Sequence, residues 1–252
     1  MSADPGMRSR STEAEGSGGR VILTAHGTHD ARGKAEVQAL AAAVDRRLAG
    51  CRVDLAWLSL VEPSLAEVAS RGPAVVVPLL LGTGYHVLTD IPGVLEEHAP
   101  GSLVTAHLGP DAGLVSALVS RMEECGPRPS GVVLAAAGSS HPVARSQARQ
   151  TADSLAAALG VPVGVGYLSG PGPDVGAALT RMREVVPGRL AVATYLLASG
   201  AFSRRADGVA RGFGIPASAP LAAHPAVVDV IVRRVTEAST GRAPGGPLVL
   251  SP

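Results

Sequence analysis

His26 and His86 are the residues through which this chain could do chemistry. His26 ends the apolar run Val21-Ile-Leu-Thr-Ala and is followed by Gly27-Thr28, while His86 follows Val77-Pro-Leu-Leu-Leu-Gly-Thr-Gly84-Tyr85. Glu62, just before Pro63, follows a third run with strand character. Two imidazoles and a carboxylate suit a borderline divalent ion such as Fe2+, Co2+, Ni2+ or Zn2+ better than Mg2+ or Ca2+. A site with only two or three protein ligands is coordinatively incomplete, so it can hand its ion on where a closed structural site could not. The same groups can accept a proton. A lone histidine after a strand is more often a hydrogen-bonded loop residue than a ligand, so the residue types alone do not carry the chemical reading.

A repeat favours the chemical reading. The opening of the chain returns as Val132-Val-Leu-Ala-Ala-Ala-Gly138-Ser139, and the approach to His86 returns as Thr194-Tyr-Leu-Leu-Ala-Ser-Gly200-Ala201-Phe202. The framing glycines persist, but Ala137 stands where His26 does, Phe202 where His86 does, and Gly172 where Glu62 does. One working copy and one supporting copy are expected. The remaining histidines have no such pairing. His29 adjoins the site and could touch substrate. His98 falls near a helix end, where it would face the helix dipole, and His141 and His224 fall at helix starts. His107 has no partner in the pattern.

The elements that must position these residues are legible as alternating apolar runs and amphipathic stretches. Strands are expected over residues 21–25, 52–60, 74–81 and 103–107, with helices over 34–48, 64–71, 93–97 and 112–124. In the second copy, strands are expected over 132–136, 163–168, 190–197 and 217–219, with helices over 144–159, 175–185, 203–211 and 225–238. Such alternation implies βαβ units and parallel sheets covered on both faces. Ligands then bind beyond the carboxyl ends of the strands, so His26, Glu62 and His86 should open on one edge. The expected organisation is a tail over 1–19, one domain over 20–125, a Pro/Gly hinge over 126–131, a second domain over 132–240 and a tail over 241–252.

Composition narrows the field. A formal net charge of +1 supplies no basic field for nucleic acid or anionic lipid. Two Phe, one Trp and three Tyr are too few for a base-stacking platform. No run approaches the ~18 apolar residues needed to span a bilayer, and Arg8 and Arg10 precede no apolar segment of a secretory signal. A cytoplasmic protein is expected, with Cys51 and Cys125 as reduced structural thiols. Gly27-Thr28 before a helix could cradle an anion, but GxGxxG after the first strand, GxxxxGK[ST] and G-x-S-x-G are all absent.

Taken together, His26-Gly27-Thr28-x-Asp30, Glu62-Pro63-Ser64-Leu65, the string from Val77 to Pro92 (Val-Pro-Leu-Leu-Leu-Gly-x-Gly-Tyr-His-x-x-x-Asp-Ile-Pro) and Leu108-Gly109-Pro110 resemble the sirohydrochlorin cobaltochelatases and ferrochelatases, the class II chelatases, in their long two-domain form. The resemblance covers residues about 20 to 240, and the string from Pro78 to Pro92 is its most specific part. It implies a tandem of two flavodoxin-like α/β domains, each with a four-stranded parallel sheet flanked by helices. It implies insertion of Co2+ or Fe2+, with Ni2+ also suited to imidazole, into sirohydrochlorin for cobalamin or sirohaem synthesis. The ion is then a substrate and no organic cofactor is needed. Metal-site roles pass to His26 and His86, and an assisting carboxylate role to Glu62. Gly27, Thr28, His29, Gly84 and Tyr85 become candidates for holding the tetrapyrrole, although the family commonly has Arg at the position of His29. A polycarboxylate substrate calls for cations, for which Arg204 and Arg205 are the candidates. Two competing readings remain: a non-catalytic metal or tetrapyrrole carrier on the same scaffold, and a two-lobed interaction module.

Overall fold

The computed structural model describes residues 19–241, so the expected tails lie almost entirely outside the described residues. The first half runs β1 (Arg20–Ala25), α1 (Ala31–Arg47), β2 (Arg52–Trp57), α2 (Leu65–Ala69), β3 (Val75–Pro78), a π-helical turn (His86–Asp90), α3 (Ile91–His98), β4 (Leu103–Val104) and α4 (Ala112–Glu123). The second half runs β5 (Gly131–Ala136), α5 (Pro142–Leu159), β6 (Val163–Tyr167), α6 (Val175–Val185), β7 (Leu190–Tyr195), α7 (Ala201–Gly212) and α8 (Pro225–Thr240). The strands form two wholly parallel sheets, ordered β2-β1-β3-β4 and β6-β5-β7.

Strands β1, β5 and β7 are buried along nearly their whole length, which is why they read as runs dominated by Val, Ile, Leu and Ala. Helix α1 turns Val37, Leu40 and Val44 onto its sheet, and its start is set by the Asp30 carboxylate, which accepts the Gly33 N–H. The second sheet is one strand short of expectation. The chain over 217–219 makes only a single bridge, Ala217 to Val192. Two backbone hydrogen bonds flank it, and the Ser218 hydroxyl accepts the Thr194 N–H at 2.9 Å. A side chain thus takes the donor that a fourth strand would have paired.

The two halves are not separate lobes with separate cores. Inner-face residues of both sheets, such as Leu23, Val77, Leu134 and Ala193, belong to one buried cluster. The last helix of each half helps bind the halves together: α4 packs on α5, on α8 and on β7, while α8 packs on α1 and on β3. Only the outer layers are private, with α2 and α3 covering the first sheet and α6 and α7 the second. The segment over 126–131 is docked rather than loose: the Ser130 N–H bonds the Arg189 carbonyl at 2.7 Å, and Arg128 reaches the Leu159 carbonyl.

Candidate functional site

The carboxyl ends of β1, β3, β5 and β7 open onto one cleft of about 760 Å³ between the halves. His26 leaves the end of β1, where the chain has no freedom to shift. Gly27 adopts φ 105°, and a Cβ there would lie 1.9 Å from the Ser59 carbonyl oxygen. Gly138 repeats the arrangement against Ser169 with a gap of 1.9 Å. His86 reaches the cleft from the other side of β1, after the loop that follows β3. The two rings meet with centroids 4.6 Å apart and planes tilted by 48°. That separation brings the two rings within the span of one shared ion.

Burial lowers the pKa of His26 below the ordinary imidazole value, and the nearby His86 pushes it the same way. Neutral imidazole is the ligating form. The hydroxyl of Ser59 lies 3.4 Å from His26 Nδ1 and donates to the His26 carbonyl at 2.8 Å. His86 has a firmer support: its Nδ1 lies 2.5 Å from the Asp90 carboxylate. A carboxylate on one ring nitrogen fixes the tautomer and leaves the other nitrogen free to bind.

Asp90 was outside the candidates drawn from sequence because the helix was expected to start only at residue 93. Instead the chain is already coiled at His86. Pro92 has no N–H to give the Leu88 carbonyl, and its ring crowds that carbonyl. The turn widens, the Ile91 N–H bonds the His86 carbonyl, and His86 and Asp90 come together. The spacing His86-x-x-x-Asp90 was visible, but its meaning depended on where the helix begins.

Glu62 does not join the two rings. It is exposed, it is not part of the cleft wall, and its carboxylate accepts the Ser64 N–H at 2.6 Å beside the start of α2. Among the described residues no group of three or more His, Cys, Asp or Glu could hold an ion together. Gly27, Thr28, His29, Gly84, Tyr85 and Arg204 do line the cleft. Arg205 does not: it turns away and donates to the Leu168 carbonyl at 2.5 Å. Arg204 is paired with Asp30. The Gly33 N–H and Arg204 together hold that carboxyl below the usual range.

The second copy faces the same space without imidazole. Ala137 and Phe202 line the wall opposite to their counterparts' half. Leu60, Tyr85 and Phe202 expose large apolar surfaces there, as a broad unsaturated ligand would require. His141 and His224 each cap a helix, accepting the N–H of Val143 and Ala226, and His98 ends α3. Cys51 and Cys125 are free thiols. No helix among the described residues is long and apolar enough to cross a membrane.

Polar contacts brace the cleft across the halves. The Gln147 side chain accepts the Thr83 N–H at 2.8 Å and donates to the Thr83 hydroxyl at 2.9 Å, while that hydroxyl lies 3.0 Å from His107 Nε2. On the far side, Glu36 accepts both the N–H and the hydroxyl of Ser199, at 2.6 and 2.9 Å.

The comparisons concern family and fold. The family model described as CbiX matches twice, over residues 20–125 and 131–238. Among solved structures, a SirB from Bacillus subtilis with Fe3+ is 23% identical with TM-score 0.76, over 90% of this chain and 98% of that one. The sirohydrochlorin chelatase SirB from Bacillus subtilis subspecies spizizenii in complex with cobalt is 21% identical with TM-score 0.71, over 89% and 96%. CbiX, described as the terminal enzyme for biosynthesis of siroheme in denitrifying bacteria, is 22% identical with TM-score 0.67, over 87% and 99%. At these identities the likeness is one of fold. No curated protein matches the chain.

Proposed function

The chain belongs to the CbiX family, and we propose that it is a chelatase that inserts Co2+ or Fe2+ into sirohydrochlorin, in cobalamin or sirohaem biosynthesis in the cytoplasm. The observation that carries this reading is the pair of imidazoles, 4.6 Å apart, at the mouth of an apolar-walled cleft. Relatives of the same fold were solved with Fe3+ and in complex with cobalt.

Insertion has three costs: removing water from the ion, removing two pyrrole protons and bending the macrocycle. His26 and His86 answer the first by replacing part of the hydration shell while leaving coordination positions open. Asp90 keeps the ligating nitrogen of His86 turned outward. Each imidazole that releases the ion is free to take a pyrrole proton, a contribution worth roughly 10²–10⁴-fold. Gly27, Thr28, His29, Gly84 and Tyr85 hold the ring edge, and Leu60 and Phe202 flank its faces. Glu62, committed to the Ser64 N–H, has no part in this scheme.

Anaerobic absorbance spectroscopy tests it. Sirohydrochlorin is offered with Co2+ or Fe2+ to wild type and to His26→Ala and His86→Ala. The wild type should metallate many equivalents of tetrapyrrole. A single equivalent, then arrest, would mark a carrier instead, and equal rates in wild type and both variants would sink the proposal.

A further inference from the structure

The charge balance of the cleft singles out one residue that neither the repeat nor the motifs pick out. Three imidazoles, one carboxylate and two guanidinium groups line it. The carboxylate, Asp30, and one guanidinium, Arg204, neutralise each other. That leaves Arg145, in the first turn of α5 and thus on the half without imidazoles. It is half-buried in the wall, and among the described residues it has no carboxylate partner. Its Nη1 donates to the carbonyls of Ser139 and Ser140 at 3.4 and 3.2 Å, both long. Its Nη2 and Nε make no hydrogen bond among the described residues, although guanidinium carries five N–H donors in a fixed fork. The wall beside it is apolar, with Ala137, Ala144 and Ala148. The start of α5 adds positive potential from the helix dipole.

An unpaired cation on an apolar wall is completed by an anion from the ligand. We propose that Arg145 grips a peripheral carboxylate of the tetrapyrrole through its free N–H groups. The inference rests on the chelatase reading above. It gives the copy that lacks imidazoles a task of its own: Arg145 anchors the ring edge while His26 and His86 present the ion from the other half. Arg fits this role better than Lys because the carboxylate can be held at both oxygens.

The test is a fluorescence titration of metal-free sirohydrochlorin into wild type, Arg145→Gln and Arg145→Lys, at low and high NaCl, with steady-state Co2+ insertion alongside. Arg145→Gln should weaken binding about tenfold at low salt, with Lys intermediate, and the gap should narrow at high salt as the ion pair is screened. In turnover, the KM for tetrapyrrole should rise more than kcat falls. Wild-type affinity in Arg145→Gln would overturn the proposal, as would a loss independent of salt, which would mark a merely structural hold on the Ser139-Ser140 loop. Should the Gln variant melt early, Arg145→Lys still has to bind more weakly than wild type at low salt; equality there would also overturn the proposal. If wild type itself neither binds nor metallates sirohydrochlorin, the chelatase reading fails first, and the two failures are told apart.

Discussion

At the scale of single residues, the site depends on imidazoles kept neutral and aimed. The lowered pKa of His26 sets the direction of the pH response. The imidazole stays unprotonated below the ordinary value near 6.5 and loses its metal affinity as pH falls through the lowered one. A pH profile of Co2+ insertion should therefore hold through neutrality and into mild acid before it drops; a drop beginning above pH 7 would contradict this. The contact between His86 and Asp90 makes a second prediction. Asp90→Ala should cut metal affinity or activity roughly 10–100-fold, with a raised KM for the ion, and Asp90→Asn should recover part of it by still accepting the ring N–H. Isothermal titration with Co2+ reads the same change without turnover.

At the scale of elements, the π-helical turn is the feature to perturb. Pro92→Ala restores an N–H that can bond the Leu88 carbonyl and removes the ring that crowds it. The turn should tighten towards an α-helix and carry the His86 ring away from Asp90. Thermal stability is expected to stay level or rise, while insertion falls; a variant with full activity would mean that the turn does not set the ring. The loop before it is held from the second half by Gln147 and from behind by His107. His107 is lowered in pKa by burial first and by Arg234 second. The sign follows: the unfolded chain takes up a proton near pH 6.5 while the folded one does not, so the stabilisation is complete above that pH and is lost as pH falls towards the lowered folded value. His26 and His224 shift in the same sense. Melting temperature should decline below about pH 6.5, with a shallower slope in His107→Gln.

At the scale of the molecule, the shared core has a thermodynamic consequence. Because α4 packs on β7 and α8 on β3, neither half closes its own interior. Calorimetry should show one unfolding transition rather than two, with the calorimetric and van't Hoff enthalpies agreeing; two resolved transitions would refute the interlock. Gly33 marks how closely the halves approach, since a Cβ there would lie 2.0 Å from the Ser199 carbonyl oxygen. Gly33→Ala should cost about 1–3 kcal/mol by forcing the β7–α7 loop off α1, read as a lower denaturant midpoint.

What the amino-acid sequence determined by itself was the class of fold, the duplication and the pair of histidines. Each rests on short-range pattern: Val-rich runs suit strands buried on both faces, and a residue just past such a run emerges at the carboxyl edge of a parallel sheet. His26 and His86 could be paired on that edge rule together with their joint replacement in the second copy, and the family motif pointed to the same two positions. Glu62 obeyed the same edge rule yet faces elsewhere, because the rule places a backbone and not a side chain, and a free N–H two residues on claimed its carboxylate. Asp90, Arg145 and the departure of Arg205 from the cleft were decided only by tertiary structure. Asp90 needed the start of a helix to be known to within a residue, and the two arginines needed to be seen with their partners. The missing fourth strand and the exchanged last helices belong with them, since a backbone N–H accepts whichever oxygen comes within reach, and apolar helices bury against whichever sheet the whole chain brings to them.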